Sequence, residues 1–156
     1  MASWLVTEPA INVWLEDTPL LYQASRGRKV RFILTYKNRQ GTQGDVDNLE
    51  PRIFSVGSRW HTHWRAYLEA VPTEPTNYWA YLGSGGATKY TSNEVHKATR
   101  GKLTQVSSTN TVQFPNGDIL TFGLTTTFGG VTRYFLTRKE DLAGNATTFQ
   151  LSLIHI

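Results

Sequence analysis

Cysteine is absent from this chain of 156 residues, so no disulfide and no thiolate metal site holds its fold. Long apolar runs are absent too: none approaches the roughly 20 residues that a membrane-spanning helix requires. The opening stretch "MASWLVTEPAINVWL" has no basic segment ahead of a continuous apolar one, so it does not read as a secretory leader. If the parent protein is exported, its address lies elsewhere. Helical periodicity is equally scarce. No window of about a dozen residues keeps apolar positions at i, i+3, i+4 and i+7 between two caps. Charge is sparse at 18% of residues, which argues against disorder. The excess of 16 Lys and Arg over 12 Asp and Glu leaves a net +4, a surplus too mild to single out an anionic partner.

What is present is aromatic and alternating. Five Trp, seven Tyr and seven Phe, within a hydrophobic fraction of 39%, supply the mass for a core. In "RKVRFILTYK", Val30, Phe32, Leu34 and Tyr36 share one face, while Lys29, Arg31, Thr35 and Lys37 share the other, with Ile33 the exception. A period of two with β-branched and aromatic residues predicts a half-buried strand. "RWHTHWRAYLEAV" repeats it, with Trp60, Thr62, Trp64, Ala66 and Leu68 on one face, and "NYWAYLG" is a third strand. "FPNGDILTF" sets Asn116 and Gly117 between two apolar runs, and "DLAGNATTF" does the same with Gly144 and Asn145. Both predict hairpin turns, with Asn145 expected at positive φ. Residues 41–50 read as a loop, and "GSGGATKYTSNEVHKATRGK", 83–102, as a long excursion. Together these features predict an all-β antiparallel fold.

Several chemistries are weighed against plainer readings. His61 and His63 on one strand face suit a metal if Glu69 or His96 joins them, but two ligands make an incomplete set, and a polar outer face explains them. Arg26, Arg28, Lys29, Arg31, Lys37 and Arg39 form a basic stretch of the kind that tracks a single-stranded nucleic acid. Phe32 and Tyr36 point inward with Val30 and Leu34, however, so the cations are a solvated face and no nucleic acid is expected. Gly83 to Tyr90 lacks the spacing of a phosphate-binding loop. Glu16/Asp17 and Glu140/Asp141 are adjacent, so on a strand each pair faces opposite ways and cannot share a substrate. No catalytic residue, cofactor or metal is expected. Asn145 opens a formal glycosylation sequon, but its turn already accounts for it. Tyr78, Trp79 and Tyr81, if exposed, would offer a stacking surface for sugar rings, which makes a carbohydrate-binding β-sandwich the alternative reading.

The segment from Tyr134 to Phe149 resembles one repeat of the Rhs/YD-repeat family, matching at Tyr134, Leu136, Thr137, Asp141, Gly144, Asn145, Thr148 and Phe149. Upstream, "INVWLEDTPLLYQASRGRKVRFILTYKNRQ" and "FSVGSRWHTHWRAYL" look like the lead-in of such proteins, and "VQFPNGDILTF" like the strand pair before a repeat. The chain departs from the pattern at Lys139 and Thr147, where apolar residues are usual, and at Leu151, where a Tyr would close the repeat. The tail "LSLIHI" resembles a translated sequencing adapter, so residues 151–156 are expected to be non-native. The resemblance implies lead-in strands over 1–110 and hairpins with the first repeat over 111–150. It implies antiparallel hairpins forming an open or curled sheet, the start of a β-shell that encloses a C-terminal toxin or acts at the cell surface. The implied location is secreted or cell-surface, and the implied partners are further repeats of the parent chain and the enclosed toxin. The residues expected to matter are structural: Trp60 and Trp64 as core anchors, Asn116 and Gly117 in one turn, and Tyr134, Asp141, Gly144 and Asn145 in the repeat hairpin. Arg138 is expected to support that last turn with Asp141.

Overall fold

The alternating runs become antiparallel strands, and the order in which their edges meet gives two sheets. The computed structural model describes residues 3–7, 12–23, 25, 27–37, 60–83 and 87–151. The expected loop at 41–50, the basic residues Arg26 and Arg39, and the tail beyond Leu151 lie outside them. The first sheet runs in the order β1 (Ser3–Thr7), β2 (Asn12–Tyr22), β3 (Val30–Lys37), β4 (Trp60–Thr62). The second contains β5 (Tyr67–Val71), β6 (Glu74–Tyr81), β7 (Thr88–Thr91), β8 (Lys102–Val106), β9 (Thr109–Gln113), β10 (Ile119–Phe128), β11 (Val131–Glu140) and β12 (Ala146–Thr148). Its order is β7-β6-β5-β11-β10-β9-β8, with β12 also paired to β11. The fold is therefore all-β and antiparallel, as expected. No helix among the described residues is long and apolar enough to cross a membrane.

The second sheet curls until its ends nearly meet. Beyond β7 the chain turns back onto β8: Asn93 N–H donates to the Leu103 carbonyl at 2.7 Å, and His96 N–H to the Gly101 carbonyl at 2.9 Å. Val95 and Lys102 form a further bridge between them. Inside this near-barrel Leu68, Tyr78, Tyr90, Leu103, Val112, Phe122 and Leu136 are buried together. Each such side chain contributes about 1.5–3 kcal/mol of transfer free energy. Tyr90 ties core to closure. Its ring is buried, its hydroxyl meets Thr99 Oγ1 at 2.7 Å, and it packs on the His96 ring at 4.9 Å. Within the expected excursion lies a short strand, β7, while residues 92–101 are turns that bond back onto β8. The polar composition of 83–102 hides that strand, whose inward residue Tyr90 closes the sheet.

Short turns set the register. Gly129 and Gly130, at φ 59° and 79°, join Phe128 to its partner Val131. Positive φ at both central residues is the two-residue turn whose twist suits a hairpin. The β9–β10 and β11–β12 hairpins share a longer design. In the first, Phe114 N–H donates to the Asp118 carbonyl and Gly117 N–H to the Phe114 carbonyl. In the second, Asp141 N–H donates to the Asn145 carbonyl and Gly144 N–H to the Asp141 carbonyl. Each encloses three residues and ends on a left-handed glycine, Gly117 at φ 83° and Gly144 at φ 80°. The expected division after residue 110 falls inside β9, within one continuous sheet.

Two expectations along the chain are corrected. The run from Trp60 to Val71 is not one strand. Thr62 Oγ1 accepts from Trp64 N–H at 3.4 Å and starts a 3₁₀ turn, His63–Arg65. The break passes the chain from β4 in the first sheet to β5 in the second, so Trp60 and Leu68 belong to different sheets. Thr35, expected on a solvated face, is buried; it is flanked in register by the longer Glu16 and His61.

Asn110 is the discordant core residue. It is fully buried opposite Phe122, and neither its side-chain oxygen nor its amide has a hydrogen-bond partner. A buried polar group left unpaired carries its full desolvation cost, about 1–3 kcal/mol. Asn110→Leu should therefore raise the melting temperature measured by circular dichroism. A lower Tm would mean that the amide does work the core needs.

Candidate functional site: the cleft between the two sheets

Where the sheets approach one another, two strand edges stop short of a neighbour. β4 covers β3 only at Leu34, Thr35 and Tyr36, leaving residues 30–33 uncovered on that side. On the second sheet, one edge of β11 is shared between β5, at Arg133 to Phe135, and β12, at Arg138 to Glu140. β12 pairs with nothing on its far side among the described residues. Between these edges lies a cleft of about 610 Å³ lined by Arg28, Lys29, Arg31, His63, Trp64, Asp118, Lys139, Asp141, Thr147 and Phe149, among others.

Aromatic side chains hold the two sides together. Trp64 packs edge-on against Phe32 of β3 at 4.9 Å and against Phe149 beyond β12 at 5.6 Å. Its Nε1–H donates to the Arg31 carbonyl at 3.0 Å. Trp60 packs on Tyr36 at 5.4 Å. Both tryptophans, expected as core anchors, are half-buried, and neither is among the buried residues of the second sheet's core. The 3₁₀ break carries Trp64 out of the strand's face, which makes it a clamp between sheets. Tyr134 is half-buried against the core, edge-on to Tyr78 at 6.0 Å.

The two three-residue turns stack at one end of the cleft. A Cβ on Gly117 would lie 2.5 Å from Leu142 Cδ1, and one on Gly27 would lie 2.9 Å from the Asn145 amide. At Gly117 both the positive φ and this close approach demand glycine. Arg28 Nη1 reaches Asp118 Oδ2 at 2.7 Å, and Asn116 Nδ2 donates to the same oxygen at 3.0 Å. Asp141 Oδ1 accepts from the N–H groups of Ala143 and Asn145 at 3.0 and 2.9 Å, and the Asn145 side chain donates to both carboxylate oxygens. The Asn145 side-chain bond is the main reason that the Asp141 carboxyl is held below the usual carboxylate range; the two backbone N–H groups and Arg28 add to it. The positive φ expected at Asn145 sits instead on Gly144. Arg138, expected to brace this turn, pairs with Glu140 at 2.6 Å.

Burial pushes the His63 imidazole down to about 4, with Lys139 adding to the effect and a hydrogen bond to the Arg31 backbone opposing it. His63 is therefore neutral at pH 7. It lies in the 3₁₀ turn rather than on a strand face with His61. The suggested third ligands are engaged elsewhere: Glu69 with Arg133 at 2.9 Å, and His96 with Tyr90 and Thr99. No group of three metal-ligating side chains forms among the described residues. The surface expected from Tyr78, Trp79 and Tyr81 does not form either. Tyr78 is in the core, Tyr81 stacks on Tyr67 at 4.5 Å, and Trp79 is exposed beneath Lys89.

Of the expected residues, Trp64, Asp141 and Asn145 meet at the cleft, with Asn116 and Gly117 in the turn beside it. Lys139 joins them unforeseen as a site residue. It sits directly opposite Thr147 in register. These are two of the three positions at which the sequence departs from the repeat that it resembles, the third being Leu151. Comparison with protein-family models, curated proteins and solved structures gives no match.

Two outcomes follow from these environments. His63 takes up its proton more readily unfolded, near pH 6.5, than folded, near 4. Its contribution to stability is complete above pH 6.5 and is lost as pH falls toward 4. Melting curves across that window should slope less for His63→Gln than for wild type, and parallel slopes would refute the buried neutral imidazole. Asp141→Ala removes the acceptor for three donors, so amide exchange at Ala143 and Asn145 should accelerate roughly tenfold. Unchanged protection would show that the carboxylate does not hold the turn.

Proposed function

We propose that the chain is a non-enzymatic scaffold segment of an Rhs/YD-repeat protein, one that contributes strands to a β-shell enclosing a toxin or acting at the cell surface. The observation that carries this reading is the pair of hairpins at Phe114–Asp118 and Asp141–Asn145. They have the same hydrogen bonding, the same terminal glycine at positive φ, and turns in contact side by side. Hairpins repeated in this way build a sheet by addition, each covering the edge of the one before. The polar groups of the cleft support the same conclusion. Asp118 is paired with Arg28 and Asn116, Asp141 is engaged in holding its turn, and burial holds the His63 imidazole at a low pKa of about 4, which makes it a weak base. The carbohydrate-binding alternative has weaker support, because Tyr78 and Tyr81 are engaged in packing and leave Trp79 alone outside.

The scaffold reading predicts that the sheet grows by its own units. A chain in which residues 119–150 are repeated after Gln150 should unfold in one transition. Its extra amides should be protected from hydrogen exchange, including those of Ala146 and Thr148 in the first copy. If the added unit is unprotected and is trimmed by protease to the original length, the reading fails.

A further inference from the structure

β12 lines the cleft through Ala146 and Thr147, its outer edge has no partner among the described residues, and the backbone pattern of that edge can be worked out. Asp141 N–H bonds to the Asn145 carbonyl, and Phe149 N–H to the Thr137 carbonyl. Bonded pairs alternate along an antiparallel ladder, so Lys139 and Thr147 form the bonded pair between them. The N–H and C=O groups of Ala146 and Thr148 therefore point away from β11, toward the side that holds no strand among the described residues. An edge of this kind accepts an extended peptide through main-chain hydrogen bonds.

The charges around that edge are unbalanced. Lys29, Arg31 and Lys139 are exposed at the cleft and form no ion pair with a described residue. The carboxylates there, Asp118 and Asp141, are held by Arg28 and by the turn respectively. Among the described residues, the unpaired charge that the cleft offers is thus positive. Side chains of Thr147 and Phe149 fall on one face of the β12 segment, two residues apart. Lys139 lies directly across from Thr147, and Trp64 packs on Phe149.

We propose that the cleft binds an extended acidic peptide, which adds as a strand to the outer edge of β12. Ala146 and Thr148 supply the ladder. A carboxylate on the incoming strand lies beside Thr147 within reach of Lys139, and an apolar side chain two residues along lies beside Phe149 and Trp64. The partner is recognised by a carboxylate and an apolar residue separated by one position, with Lys29 and Arg31 on the opposite wall favouring further acidic side chains. This goes beyond the scaffold reading. It needs the free edge of β12 and the cations around it, not the family resemblance.

The test uses the whole chain and a fluorescein-labelled peptide of about seven residues, with inward positions Glu and Val and outward positions Thr. Binding followed by anisotropy should weaken at least about tenfold between low and high salt, as screening removes the lysine and arginine contributions. Amides of Ala146 and Thr148 should become protected from exchange. Lys139→Glu should reduce affinity about tenfold, and a peptide carrying Lys in place of Glu should restore it, as expected of a facing charge pair. A peptide N-methylated on the amides that face β12 leaves the protein untouched and should not bind. The proposal is overturned if the methylated peptide binds equally well, if the charge swap fails to restore affinity, or if protection appears away from β12. Failure of the repeated-unit chain to extend the sheet, with peptide binding intact, would refute the scaffold reading alone.

Discussion

The need to pair strand edges governs this molecule. An unpaired edge presents a row of N–H and C=O groups that must find partners in water or in protein. Through the eight strands of the second sheet, the chain meets this need by curling until the segment after β7 bonds to β8. The closure depends on a few atoms: the hydrogen bonds of Asn93 and His96, and Tyr90 bridging the core to Thr99. Because the interior faces then look at one another, the same step creates the core. Edge satisfaction and hydrophobic burial are one event here rather than two.

Closure also decides where the molecule remains open. With the segment after β7 bonded to β8, the strands among the described residues that lack a partner on one side, apart from β7 and β8 at the nearly closed seam, are β1 and β4 in the first sheet and β12 in the second. The connector from Trp60 to Val71 sets two of them close together. Its 3₁₀ break ends β4 after three residues, and beyond the break β5 takes up only part of β11. The space that neither strand fills is the cleft. Trp64, displaced from its expected face by the same break, fastens β3 to Phe149 across one end of that space. The cleft is thus a geometric consequence of a cap by Thr62.

A repeat whose hairpins only stacked on one another would favour apolar side chains at the positions of Lys139 and Thr147. Their polarity, and their placement opposite each other on the cleft, set this hairpin apart from a simple building unit. Scaffold and binding roles draw on the same edge, which one strand at a time can fill. Strand addition uses the same main-chain groups whether the next strand belongs to the parent chain or to a partner, and side chains beside the edge select which one fits.

The amino-acid order alone made legible what is local. The period of two in Val30 to Tyr36, the Asn116-Gly117 turn and the Gly144 turn could be read directly, because a strand's alternation and a glycine's positive φ depend on residues within a few positions. The Gly129-Gly130 turn is equally local. Partnership was hidden. No pattern around Leu68 says that it will lie beside Tyr134, or around Asn93 that it will bond to Leu103. Strand edges carry the same backbone groups whatever their sequence, so the pairing of distant edges follows from closing the sheet and filling its interior. That is why Tyr90 looked like part of a polar loop, Trp60 and Trp64 like core, and Lys139 like a blemish in a repeat. Each was assigned its role by a neighbour far away in the chain.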